Sequence, residues 1–172
     1  EQLSNRIRKI DSNGVITTVA GTGEAGLSGD GGAATLAKIN DPRGVTGDNA
    51  GNLYISDRGN SLIRKVDTNG IISTFAGTAG TVGFSGDGGA ATSAQLNFPY
   101  ALTMNGGNLY FAEIYNYVIR KIDANGVIST VAGQGEQSDF SGDGGAATSA
   151  KLSTVGGVNF DSQGNMYIAD LG

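Results

Sequence analysis

The residues with the types and spacing to do chemistry recur in three copies. Asp30, Asp87 and Asp143 each stand third in the stretch Ser-Gly-Asp-Gly-Gly-Ala-Ala-Thr, which begins at Ser28, Ser85 and Ser141. A carboxylate in a glycine-rich loop is a donor that calcium accepts, but calcium wants roughly six to eight oxygens and each copy offers one carboxylate and a Ser. The expected role is therefore structural, bracing the loop, with the Asp or the neighbouring Gly at the cap of the short Ala-Ala-Thr helical turn and the carboxylate bonding its free N–H groups. A phosphate cradle is disfavoured, because the Asp repels phosphate and no Gly-Lys-Ser/Thr follows to supply a cation. The pairs Arg8-Lys9, Arg64-Lys65 and Arg120-Lys121 offer a basic stripe to an acidic partner. Asp57, Glu113 and Asp170 close the preceding strands, however, and ion pairing across the sheet is the expected use of the arginines.

A residue present in every copy serves the repeat itself, so a ligand site is sought where the copies disagree. Just before the first strand of each repeat stand Arg43, Tyr100 and Gly156; after the second strand, Arg58-Gly-Asn-Ser61 in one repeat is replaced by Ile114-Tyr-Asn-Tyr117 in the next. Arg and Tyr dominate binding hot spots. The candidate rim is thus Tyr100, Glu113, Tyr115 and Tyr117 beside Arg43 and Arg58, with aromatic faces to stack on a sugar or peptide and charged forks to orient it. The plainer reading of the same residues is solvated loop, which is also the reading of Gln134 to Asp139. Tyr54, Tyr110 and Tyr167 recur and are expected to pack between repeats.

The elements that must position these residues repeat every 56 to 57 positions. Ile7 to Asp11, Asn13-Gly14 and Val15 to Ala20 read as a hairpin with a type I′ Asn-Gly turn. The pattern returns at Ile63 to Ala76 and Ile119 to Ala132. A glycine-rich loop and the signature stretch follow each hairpin. Two further strands come next, ending in Asn52-Leu-Tyr-Ile-Ser-Asp57, Asn108-Leu-Tyr-Phe-Ala-Glu113 and Asn165-Met-Tyr-Ile-Ala-Asp170. Four antiparallel strands at a fixed period predict all-β propeller blades that stack on one another.

These same residues carry a family resemblance. Gly-Asn-Leu-Tyr-Ile-Ser-Asp57, with Arg-Gly-Asn60 and Ile63-Arg-Lys65, resembles the NHL repeat, and the long Ser-Gly-Asp-Gly-Gly loop is similar to an extended bacterial and amoebal version of it. The resemblance spans nearly the whole chain. It implies blades of a six-bladed propeller in a family with RNA-binding, protein-binding and enzymatic members. The related amidating lyases depend on metal-binding His residues, and this sequence has no His.

Composition narrows the function classes. Eleven basic against 16 acidic residues give a net charge of −5, which opposes the phosphate neutralisation that drives nucleic-acid binding. Without Cys or His, disulfides, thiol chemistry, nearly all zinc sites and the commonest general base are removed. The 172 residues, with 30 Gly and two Pro, suit one domain of many short strands. It is expected to comprise a half-blade at 1–22, blades at 43–78 and 99–134, a half-blade at 155–172, and long loops with helical turns at 23–42, 79–98 and 135–154. Opening at Glu1 without Met or an apolar leader, the chain reads as a processed product or a piece of a longer one. Its complementary half-blades suit a homodimeric ring or a longer propeller equally.

The expected function is a non-catalytic binding or scaffold domain of an extracellular or cell-surface protein. It would engage a protein or carbohydrate on one propeller face, with no cofactor, no nucleic acid and no membrane insertion. One alternative is a lactonase- or lyase-type enzyme with calcium in the channel, which asks for inward-pointing acids or residues such as Asn159. The other is an architectural subunit that assembles through its open half-blades.

Overall fold

The computed structural model describes residues 4–135 and 138–172. Residues 1–3 of the expected first half-blade and Glu136-Gln137 of the third long loop lie outside the described residues. Twelve strands run through the described chain: β1 (Ile7–Ile10), β2 (Ile16–Ala20), β3 (Pro42–Gly47), β4 (Leu53–Asp57), β5 (Leu62–Val66), β6 (Ile72–Ala76), β7 (Pro99–Asn105), β8 (Asn108–Glu113), β9 (Val118–Ile122), β10 (Ile128–Ala132), β11 (Val155–Phe160) and β12 (Met166–Asp170). They form two four-stranded antiparallel sheets, β3-β4-β5-β6 and β7-β8-β9-β10, and two two-stranded ones, β1-β2 and β11-β12. The sheets are propeller blades that do not close into a ring. The first strands β3, β7 and β11 lie beside one another along the inner side.

Between the sheets lie three apolar clusters. Ile39, Ile55 and Ile72 anchor the first, Leu96, Phe111 and Ile128 the second, and Ile119, Val155 and Val158 the third. Ile39 and Leu96 end the Ala-rich runs and are fully buried, so each long loop drops one large side chain into a seam between blades. Tyr54 is buried in one seam and Tyr110 meets Phe160 at 4.6 Å in the next, as expected of packing residues. Tyr167 is 60% exposed.

Two local expectations are corrected. The Asn-Gly turns are not type I′. Only the glycines (Gly14, Gly70 and Gly126) take positive φ there, at 78 to 80°. In each turn the Gly N–H donates to the carbonyl of Asp11, Asp67 or Asp123. The same Asp carboxylate accepts from two amides, those of Asn13 and Val15 in the first turn. An Asp two residues before the Asn binds the turn amides more strongly than a bare Asn-Gly pair would, and it selects a type I turn closed by a left-handed Gly. The type I′ form does occur at Gly106-Gly107, both with positive φ, between β7 and β8.

The second correction concerns the signature Asp. The Ala-Ala-Thr segments form short 3-10 turns, but their N-caps are Ala33, Ala90 and Ala146, and no side chain caps them. Asp30 reaches across to the following blade instead. One oxygen pairs with Arg64 on β5, and the other accepts from the Thr74 amide (2.9 Å) and hydroxyl (2.8 Å) on β6. Asp87 treats β9 and β10 alike, meeting Arg120 at 2.6 Å and the Thr130 amide at 3.0 Å. A buried guanidinium on the next sheet is a stronger partner than a frayed helical turn. Partial burial pushes Asp30 upward, yet the Thr74 hydroxyl, Arg64 and the Thr74 amide together hold its carboxyl below the usual range.

Candidate ligand-binding rim

The start of each first strand and the end of each second strand meet at one edge of the blades. Asp41 precedes β3 in the left-handed region, φ 48°, and Phe98 takes the same place before β7 at φ 53°. A non-Gly residue with positive φ points its side chain away from the path of the strand. Here Asp41 is turned toward two arginines. It meets Arg43 Nε at 2.9 Å and Arg58 at 2.5 Å, while its amide donates to Asn5 Oδ1 at 2.9 Å. Arg58 is delivered by a 3-10 turn, Arg58–Asn60, that follows β4 directly.

The guanidiniums then lie against aromatic rings of the next blade. Arg58 stands 4.7 Å from the Phe98 centroid and Arg43 6.0 Å from that of Tyr100. Phe98 in turn packs edge-on against Tyr115 at 4.9 Å. The result is a row running Asp41, Arg58, Phe98, Tyr115, with Arg43 and Tyr100 beside it. Two arginines on one carboxylate leave one positive charge in surplus. About a fifth of each arginine side chain is exposed, and Tyr115 is 51% exposed, so cation, stacked ring and open ring face can all be reached.

Ser56 fixes the alignment of the two blades at this edge. Its hydroxyl accepts from the Gly44 amide at 2.6 Å and donates to the Tyr100 carbonyl at 2.7 Å. Position 44 must stay without a side chain, because a Cβ there would run into the Tyr100 carbonyl.

Of the residues singled out from sequence, Arg43, Arg58, Tyr100 and Tyr115 come together. Glu113 does not join them. It is fully buried, 3.3 Å from Arg120, and also accepts from the Asn97 amide and the Asn116 side chain. Burial pushes its carboxyl up to about 7, against the pull of Arg120, the Asn97 amide and Asn116. Asp57 does the equivalent work one blade earlier, 3.3 Å from Arg64. Tyr117 takes a left-handed turn position ahead of β9, φ 56°, is half-buried, and is not one of the stacked rings.

Asp41 and Phe98 were missed in the sequence. They differ between repeats within Asn40-Asp-Pro and Asn97-Phe-Pro, so the same test of disagreement between copies would have found them. Most of the residues considered for calcium are otherwise engaged. Asp30 and Asp87 hold the next blade. Asn159 accepts from the Phe160 amide at 2.9 Å, and Asp48 and Asp161 close hairpin turns through Asn52, Tyr54, Asn165 and Tyr167. Among the described residues, no three Asp, Glu, His or Cys side chains gather around one point.

Comparison with known proteins adds the wider setting. The family model of the teneurin NHL domain matches residues 23–85. Teneurin-1 of Gallus gallus is 36% identical over 131 residues, which are 69% of this chain and 5% of that protein. The chain thus spans only about a twentieth of the curated relative. Among solved structures, a protein of unknown function from Bacteroides thetaiotaomicron superposes with a TM-score of 0.73 at 24% identity, over 98% of this chain and 40% of its own. Virginiamycin B lyase from Staphylococcus aureus superposes with a TM-score of 0.58 at 17% identity, over 99% of this chain and 43% of its own. At these identities the structural likenesses carry the fold alone.

Proposed function

Because the chain belongs to the NHL-repeat family, we propose that it is a non-catalytic binding unit of an extracellular or cell-surface protein, engaging a protein or carbohydrate through the rim of Arg43, Arg58, Tyr100 and Tyr115. The observation that carries this reading is the row of guanidinium and aromatic faces at an edge where the repeats differ in chemistry. Half-exposed Tyr115 offers a stacking face for a sugar ring or an apolar side chain. The surplus positive charge of the Asp41 cluster selects a carboxylate or a polarised hydroxyl next to it. The likeness to teneurins, which are cell-surface proteins, fits a scaffold role and an extracellular or cell-surface setting. No helix among the described residues is long and apolar enough to cross a membrane. The fold shared with a lyase at 17% identity carries no reaction with it.

Screening the chain on glycan and peptide arrays tests the reading. Hits are expected to weaken about tenfold or more on Arg58→Ala or Tyr115→Ala and to be unmoved by Lys121→Ala on the far part of the blade. Binding indifferent to the rim variants would overturn the reading. Added calcium is expected to leave Tm unchanged. A rise would favour the channel-ion alternative, since a ligand of the native state stabilises it by mass action.

A further inference from the structure

Asparagine is followed by glycine at Asn13, Asn69, Asn105 and Asn125. Such a pair is chemically labile. The glycine nitrogen, once it has lost its proton, can attack the side-chain carbon of the asparagine, and glycine has no side chain to obstruct the ring that closes. What holds that nitrogen decides whether it does. Three of the pairs are held alike. Gly14 N–H donates to the Asp11 carbonyl (3.0 Å), Gly70 N–H to that of Asp67 (2.9 Å) and Gly126 N–H to that of Asp123 (2.9 Å). In each turn the Asp carboxylate also accepts the Asn amide, at 2.9 Å, and the amide that follows the glycine. The Ile71 and Asn69 amides hold the Asp67 carboxyl below its usual range, and the Val127 and Asn125 amides do the same for Asp123. Deprotonating the glycine nitrogen in such a turn breaks a hydrogen bond and sets a second negative charge beside a carboxylate.

Asn105 is built differently. It ends β7 at the Gly106-Gly107 turn, which is one residue shorter than the matching turns after Asp48 and Asp161. Asn105 is itself the counterpart of those two acids, so no Asp stands ahead of it to tie the turn. The ladder pairs Asn105 with Asn108 and passes Gly106 by. Among the described residues, neither the Gly106 N–H nor the Asn105 side chain has a hydrogen-bond partner. Both turn glycines are exposed, and a Cβ on either would meet nothing within 4 Å.

We propose that Asn105 is a site of spontaneous deamidation, set apart from the other Asn-Gly pairs by its untethered glycine nitrogen. The Gly106 nitrogen gives its proton to hydroxide and bonds to Asn105 Cγ. The Cγ–Nδ2 bond then breaks, ammonia leaves with a proton taken from water, and a cyclic imide remains. Water opens the imide at either carbonyl, so one water enters for each ammonia lost. Opening at Cγ yields aspartate. Opening at the main-chain carbonyl yields isoaspartate, with the backbone routed through the former side chain. The aspartate puts a carboxylate where Asp48 and Asp161 stand in the other blades, and adds a second acid to the cavity that Asp48 and Asn105 line together. The isoaspartate lengthens the backbone at the last register pair of the β7-β8 hairpin, Asn105 opposite Asn108.

Peptide mapping of the aged protein tests the assignment. The folded chain is held in mildly alkaline buffer, sampled over days, digested and read by mass spectrometry, with isoaspartate detected by enzymatic methylation. Exchange of the side-chain NH2 for OH is expected at Asn105 about tenfold faster than at Asn69 or Asn125 in the same molecule. That factor corresponds to one hydrogen bond of about 1.4 kcal/mol that must break first. In concentrated urea the three rates should converge, because the turns that tether Gly70 and Gly126 are lost. Equal rates in the folded chain, or faster conversion at Asn69 or Asn125, would overturn the proposal. So would a preference for Asn105 that persists undiminished in urea, since its cause would then lie in the neighbouring residues and not in the turn.

Discussion

Arg64 and Arg120 have no exposed surface, and at the scale of the residue they decide whether two sheets hold together. A buried guanidinium is tolerable only with its acids in place, and removing it strands two carboxylates apiece. Arg120→Met should therefore cost about 3–5 kcal/mol in urea unfolding, well above a typical surface change. The acids set opposite pH limbs. Glu113 is raised from 4.5 to about 7, so its contribution is complete below the unfolded value and is lost as pH rises through about 7. Asp30 and Asp87 are held below 3.8, through the net effect of Thr74 and Thr130 with their arginines against partial burial. Their contribution is present above 3.8 and is lost as pH falls through the lowered values. Melting temperature should decline from about pH 5 to pH 8 in the wild type. Glu113→Gln should flatten that decline without touching the acid limb, and Asp87→Asn should do the reverse.

At the scale of the element, turns and strand starts hold the blades in register. Gly126 has φ 78° and open space around it, so Gly126→Ala pays only the left-handed backbone cost, about 1–2 kcal/mol. Gly44 differs. Its added methyl would push against the Tyr100 carbonyl and part β3 from β7, and about 1–3 kcal/mol of overpacking strain is expected. Because Ser56 ties the same two strands, Gly44→Ala should also weaken any ligand of the rim, whereas Gly126→Ala should not. Strand order and hairpin positions were legible in the sequence because period and alternation are local properties. The turn type was not, since the carboxylates of Asp11, Asp67 and Asp123 outcompete the preference of the Asn-Gly pair. The candidate rim was half legible. Arg43, Arg58, Tyr100 and Tyr115 lie on loops whose chemistry varies, but Glu113 looks like a rim residue until the sheet folds Arg120 over it.

For the molecule as a whole, stability is a sum of blade terms and seam terms, as in other repeat arrays. Asp30 and Asp87 belong to the seams: each stands on one repeat and bonds only to the next. Asp30→Asn combined with Asp87→Asn should lower the melting temperature and broaden the transition, since it weakens coupling without altering any strand. Replacing Lys9 and Lys121 by Ala should lower neither noticeably. The destination of the signature Asp was hidden in the sequence, because its partners Arg64 and Thr74 lie 34 and 44 residues further on and no local pattern joins them.

The direction of that reach also has a consequence in time. Asp30 and Asp87 each bond to the sheet made after their own loop. During synthesis, Asp30 is joined to the chain before Arg64 and Thr74, and it stays unengaged for at least the roughly 2–9 seconds that 34 to 44 residues take at about 5–20 residues per second. Each newly emerged sheet therefore finds its clasp already waiting, and the array assembles like a zip drawn from the first repeat toward the last.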